Sequence, residues 1–124
     1  MSDPLTLRVL VCPAVHHVAG LSELRPWLDG FDPTRELSLP GLVDPLRVTD
    51  DGVGLVATGI GKADAATTVA TLFASPRVDC SGATVLTVGI AGGPPDVGPL
   101  GAVVVGDRVV DWDRKHRVDD DADP

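Results

Sequence analysis

Residues 83–93, ATVLTVGIAGG, decide the fold class. Ala83 to Val88 is apolar nearly throughout, too short for a helix and rich in β-branched side chains, so it reads as a buried strand. It runs into Gly89-Ile90-Ala91-Gly92-Gly93, where glycines permit positive φ and a close approach of backbone to a ligand. Upstream, Val53 to Ala57 (VGLVA) repeats the pattern, opened by Asp50-Asp51-Gly52 and closed by Thr58-Gly59-Ile60-Gly61-Lys62. Between the two runs, Ala63 to Ala74 sets Ala65, Ala66, Val69, Ala70, Leu72 and Phe73 at spacings of three and four and stops before Ser75-Pro76, which predicts a small-residue helix. Strand, glycine turn, helix and strand in that order make a βαβ unit, with Val53–Ala57 and Ala83–Val88 expected as parallel neighbours.

Working outward, Leu5 to Cys12 (LTLRVLVC) is a first strand that stops at Pro13. Between Gly20 and Leu28, Ser22 is a candidate N-cap, and Pro26 argues against a long helix. Asp29 to Pro45, rich in Gly, Pro and Asp, reads as a surface connection. Gly101 to Gly106 (GAVVVG) and Arg108 to Val110 predict one or two further strands. The expected fold class is therefore α/β, a mostly parallel sheet with flanking helices over residues 1–110. Asp111 to Pro124 turns almost wholly charged and is expected to be a frayed, solvated tail.

The chain has 124 residues, which bounds it to one core. Its 18 acidic and 10 basic residues give a formal charge of -8, which repels phosphate backbones and excludes nucleic acid as an expected partner. Cys12 and Cys80 are too few and too far apart for a disulfide framework and are expected as reduced core residues. The amino terminus carries an early acidic residue and merges into a strand pattern, so a cytoplasmic protein is expected. No apolar stretch approaches the about 18 residues a membrane span needs, so no membrane insertion is expected.

Two glycine turns at the carboxyl ends of parallel strands form a crevice of the kind in which open α/β sheets bind ligands. Thr58 to Lys62 precedes a helix, so its backbone N–H groups could receive an anion or a ribose hydroxyl. It is not a Walker loop, because the GxxxxGK[ST] spacing is absent, and it lacks the third glycine of the dinucleotide fingerprint. No cofactor is expected.

Four linked segments carry a family resemblance: Thr58 to Leu72 (TGIGKADAATTVATL), the step Pro76-Arg77-Val78-Asp79, Val85 to Gly93 (VLTVGIAGG), and Leu100 to Asp113 (LGAVVVGDRVVDWD). In this order they resemble the N-terminal half of the nucleoside phosphorylase and nucleosidase superfamily, over about Arg8 to His116. LSLPGL from Leu37, ASPRVD from Ala74, GIAG from Gly89 and VVDWDRKHR from Val109 look closest to the branch called purine nucleoside permeases. The resemblance implies a phosphorylase-like fold and a purine nucleoside as partner. It also implies cleavage of the N-glycosidic bond by phosphorolysis or hydrolysis, or else nucleoside binding and uptake without catalysis. The substrate-contacting set it implies is Thr58, Gly59 and Gly61 on one turn with Thr87, Gly89, Ile90, Ala91 and Gly92 on the other.

Many phosphorylases carry a serine at the position of Ile90 and an arginine at that of Thr87, both serving phosphate. This chain offers neither, which counts against phosphate as co-substrate. The family's acidic residues for the ribose and the purine come from a C-terminal half this chain does not reach, so a truncated domain, or an inactive fragment, is expected. The loop after the first strand, where nucleosidases place a catalytic acid, reads Pro13-Ala14-Val15-His16-His17 without a carboxylate. The catalytic acid is left unassigned, with His16 or His17 as an acid or ligand there and exposed loop histidines as the plainer alternative. No metal site is expected, since a zinc site using His116 lacks a fourth ligand. Asp111, Asp113, Arg114, Lys115 and His116 would line a subunit contact in a homo-oligomer, the crevice, or simply a solvated face.

Overall fold

The computed structural model describes residues 3–111, in two compact units that divide between Ala91 and Gly92. The first unit holds every regular element among the described residues: β1 (Leu5–Thr6), β2 (Val9–Cys12), β3 (His16–Val18), β4 (Leu21–Ser22), α1 (Arg25–Phe31), β5 (Arg35–Leu37), β6 (Leu46–Val48), β7 (Val53–Leu55), α2 (Lys62–Ala74), β8 (Val78–Asp79) and β9 (Thr84–Thr87). Its main sheet has the order β5-β6-β7-β2-β9, with β7, β2 and β9 parallel and β5 and β6 antiparallel to their neighbours. The first unit is thus a small α/β domain with mixed sheets and two helices. A mostly parallel sheet describes only three of the five strands.

Alternation along the central strands explains why the sheet is covered on both faces. Side chains two apart share a face. Leu10 and Cys12 of β2 join Val56, Leu72 of α2, Val78 and Cys80 in one cluster, while Val11 joins Val53, Leu55, Ala57 and Leu24 and Leu28 of the α1 region in the other. Gly54 lies close under three leucines: a Cβ there would stand 2.9 Å from Leu7 Cδ1, so a larger residue would have to displace that side chain.

Five expectations are corrected. Ala83–Val88 contains a strand but not a buried one, because β9 lies at the edge of the sheet and all four of its residues are exposed. Val53–Leu55 and Thr84–Thr87 are both strands, but they are not neighbours: β2 lies between them, paired with each. The run Leu5–Cys12 breaks at Leu7-Arg8, so that β1 pairs with β8 and only β2 enters the main sheet. The expected connection 29–45 contains the end of α1 and all of β5, which with β6 builds an antiparallel edge. Gly101–Gly106 and Arg108–Val110 form no strand. β-propensity takes effect only where a ladder and a packed face exist, and Val103, Val104, Val105 and Val109 are all exposed.

The helices follow their caps. Pro26 falls in the first turn of α1, where its missing N–H costs nothing, and Asp32 ends the helix in a left-handed conformation with its N–H donating to Leu28 O. Ser22 does not occupy the N-cap position, but its Oγ accepts from Arg25 N–H at 2.9 Å. In α2 the inward face is Thr68 and Leu72, flanked by half-buried Ala65 and Val69, whereas Ala66, Ala70 and Phe73 are exposed.

The second unit, over its described residues 92–111, contains no helix or strand and is shaped by turns at Pro94–Val97 and Pro99–Ala102. Cys12 and Cys80 are buried and free, as expected. No helix among the described residues is long and apolar enough to cross a membrane. The charged stretch beyond Asp111, with His116, lies outside the described residues.

Candidate functional site

The carboxyl ends of β7, β2 and β9 lie at one end of the sheet, because the three strands are parallel. Each continues into an irregular loop: Thr58–Gly61 after β7, Pro13–Val15 after β2, and Val88–Ala91 after β9. Since β2 is central, its loop is the hub. On one side Thr58 N–H donates to Pro13 O at 2.9 Å and Gly59 N–H to Ala14 O at 3.0 Å. On the other, Val88 N–H donates to Cys12 O at 3.2 Å.

The β7 turn is built tightly. Thr58 is buried, and its carbonyl accepts from Thr68 Oγ1 of α2 at 3.2 Å. Gly59 has φ +86°, and a Cβ there would meet Asp64 Oδ2 at 2.8 Å, so any other residue would be strained there. Gly61, at φ +99°, is the N-cap of α2. Ile60 between them is 66% exposed.

The β9 turn is more open. Thr87 and Gly89 to Gly92 are exposed, and Ile90 is 90% exposed. The structure therefore links Thr58 and Gly59 to the central loop directly and Gly89 and Ile90 to it by a side chain. Gly92 opens the second unit and is not part of this arrangement.

That side chain is Glu23, which the sequence reading did not single out. Its Oε1 accepts from Val15 N–H and its Oε2 from Ile90 N–H, each at 3.2 Å. The loop after the first strand has no carboxylate of its own, but one reaches it from just before α1. The signal in the sequence is slight: an acid placed before a helix, 67 residues from its distant partner.

His16 and His17 belong elsewhere. His16 Nδ1 is 2.7 Å from Ser22 Oγ across the β3–β4 hairpin, and its ring lies 3.7 Å from that of His17. Loss of solvent lowers the His16 pKa, so the neutral imidazole is favoured. Both rings line a cleft of about 560 Å³ with Arg25, Asp29, Arg35 and Arg47, and none of the eight residues implied by the resemblance lines it. Among the described residues no three His, Cys, Asp or Glu side chains converge as a metal site.

A family model described as "Purine nucleoside permease (NUP)" matches residues 6–124. The chain belongs to the purine nucleoside permease family. Two curated relatives named "Purine nucleoside permease", one from Candida albicans and one from its strain SC5314, are each 32% identical to it over 85 residues. That alignment takes in 65% of this chain and 21% of each relative, so the chain spans about a fifth of their length. No solved structure matches.

Proposed function

We propose that this chain provides a nucleoside-binding edge of a nucleoside uptake protein and holds its ligand without cleaving the glycosidic bond. Family membership supports the ligand class, and the relatives' name supports uptake over catalysis. The observation that carries the reading is the pair of glycine turns tied around one central loop, each presenting an exposed isoleucine, Ile60 and Ile90. A nucleoside has an apolar base face and a hydroxyl-bearing sugar. Isoleucine side chains suit the first, and backbone groups brought close by glycine suit the second.

Phosphorolysis is the poorer fit. Ile90 is apolar where the resembled enzymes place a serine, and Thr87 brings no positive charge to an anion. The phosphorylase-like architecture implied by the resemblance belongs to this same proposal, supported by parallel strands that end in glycine turns.

Calorimetry with inosine or adenosine, beside chromatography for free base with and without phosphate, tests the reading. Saturable binding and no released base is the expected result. Base release in either buffer would overturn the non-catalytic reading, and absence of binding by the folded chain would overturn the nucleoside edge.

A further inference from the structure

Glu23 is a half-buried residue held through both its backbone and its carboxylate. Its N–H donates to Val15 O at 3.0 Å while Val15 N–H donates to its Oε1, so the two residues close a reciprocal ring. The next residue, Leu24, is fully buried and anchors the segment beneath it. With backbone and one oxygen committed to Val15, the second oxygen is aimed at the turn after β9, where Ile90 N–H donates to it. Gly89 leaves the room for this approach, since a Cβ there would lie 3.3 Å from Oε2. Both oxygens are thus spent on backbone N–H groups, and none of the ion pairs among the described residues includes Glu23.

We propose that Glu23 is a positioning residue for ligand binding: its carboxylate clamps the Gly89-Ile90 turn to the Pro13–Val15 loop and so fixes the backbone groups that the nucleoside meets. Without it, the β9 turn is an exposed glycine-rich segment tied to the end of β2 by the Val88–Cys12 hydrogen bond and, among the described residues, by none to the Pro13–Val15 loop itself, and ordering it would fall to the ligand. The proposal rests on the nucleoside-binding reading, and it acts through the turn rather than by touching the reacting bond.

The test uses the full chain and the variants Glu23→Ala and Glu23→Gln, with backbone NMR of the free protein and calorimetry with inosine. In Glu23→Ala, the Val15 and Ile90 amide resonances should both move, order over 89–91 should fall, and inosine should bind about tenfold more weakly. Glu23→Gln has one carbonyl oxygen in place of two, so it should retain one of the two contacts and lose less affinity. A third variant, Gly89→Ala, crowds the same contact from the other side and should disturb the Ile90 amide alike. An unmoved Ile90 amide in Glu23→Ala would overturn the clamp. A lost Ile90 contact with unchanged inosine affinity would overturn its positioning role. If the parent chain binds no inosine at all, the nucleoside reading and the ligand half of this proposal fall together, while the amide data still decide whether the clamp exists.

Discussion

Cys12 ends the central strand with its thiol inside the cluster that also holds Cys80. Burial, with a smaller contribution from Cys80, pushes its pKa up to about 11 from an ordinary 9.0. The folded state therefore favours the neutral thiol. Its stability contribution is complete below the ordinary value and is lost as the pH rises through that value toward 11. The thiolate fraction near neutrality is about a hundredfold below that of a free cysteine, so iodoacetamide should leave Cys12 unmodified in the native chain at pH 8 and label it readily in urea. Melting temperature should fall between pH 9 and 11, and Cys12→Ala should flatten that fall. Rapid native labelling would show that the thiol is not buried as described.

At the scale of elements, α2 is coupled to the candidate site by one polar contact inside the core. Thr68 is fully buried, and its hydroxyl donates to the carbonyl of Thr58, the first residue of the β7 turn. Thr68→Val keeps the shape but leaves that carbonyl without this donor, so urea unfolding should report a loss of about 1 kcal/mol. A neutral or stabilising result would mean the helix is held by its apolar contacts alone. The same contact shows what a sequence discloses. The two parallel strands and α2 were legible because their apolar runs are bounded by Gly, Pro and Asp turns. The inward face of α2 was less so, since a threonine is admitted to a core only when a carbonyl elsewhere receives its hydroxyl. β5 and β6, three residues each, are too short for a period to register, and they exist because β7 offers β6 a ladder and β6 in turn offers one to β5. The placement of β2 between β7 and β9 is a choice of pairing that local pattern does not encode. Of the candidate site, the two glycine turns were legible and Glu23 was not, because its role appears only when Val15 and Ile90 are brought to it.

In the molecule as a whole, the sheet of the first unit ends on β9, whose four residues are all exposed, and the described residues of the second unit expose a run of valines. The chain spans about a fifth of the length of its curated relatives, and the proposed edge is the end of the sheet where three loops meet. If that end is a nucleoside-binding edge, the ligand must report its presence at Pro13–Val15, Thr58–Gly61 and Gly89–Ala91 together. The most direct measurement is a titration of the isotope-labelled chain with inosine, followed by backbone NMR. The account predicts saturable shifts concentrated in those three segments, with the Ile90 amide among the largest. Shifts confined to the cleft of His16, Arg25, Arg35 and Arg47, or no shifts from a folded chain, would contradict it.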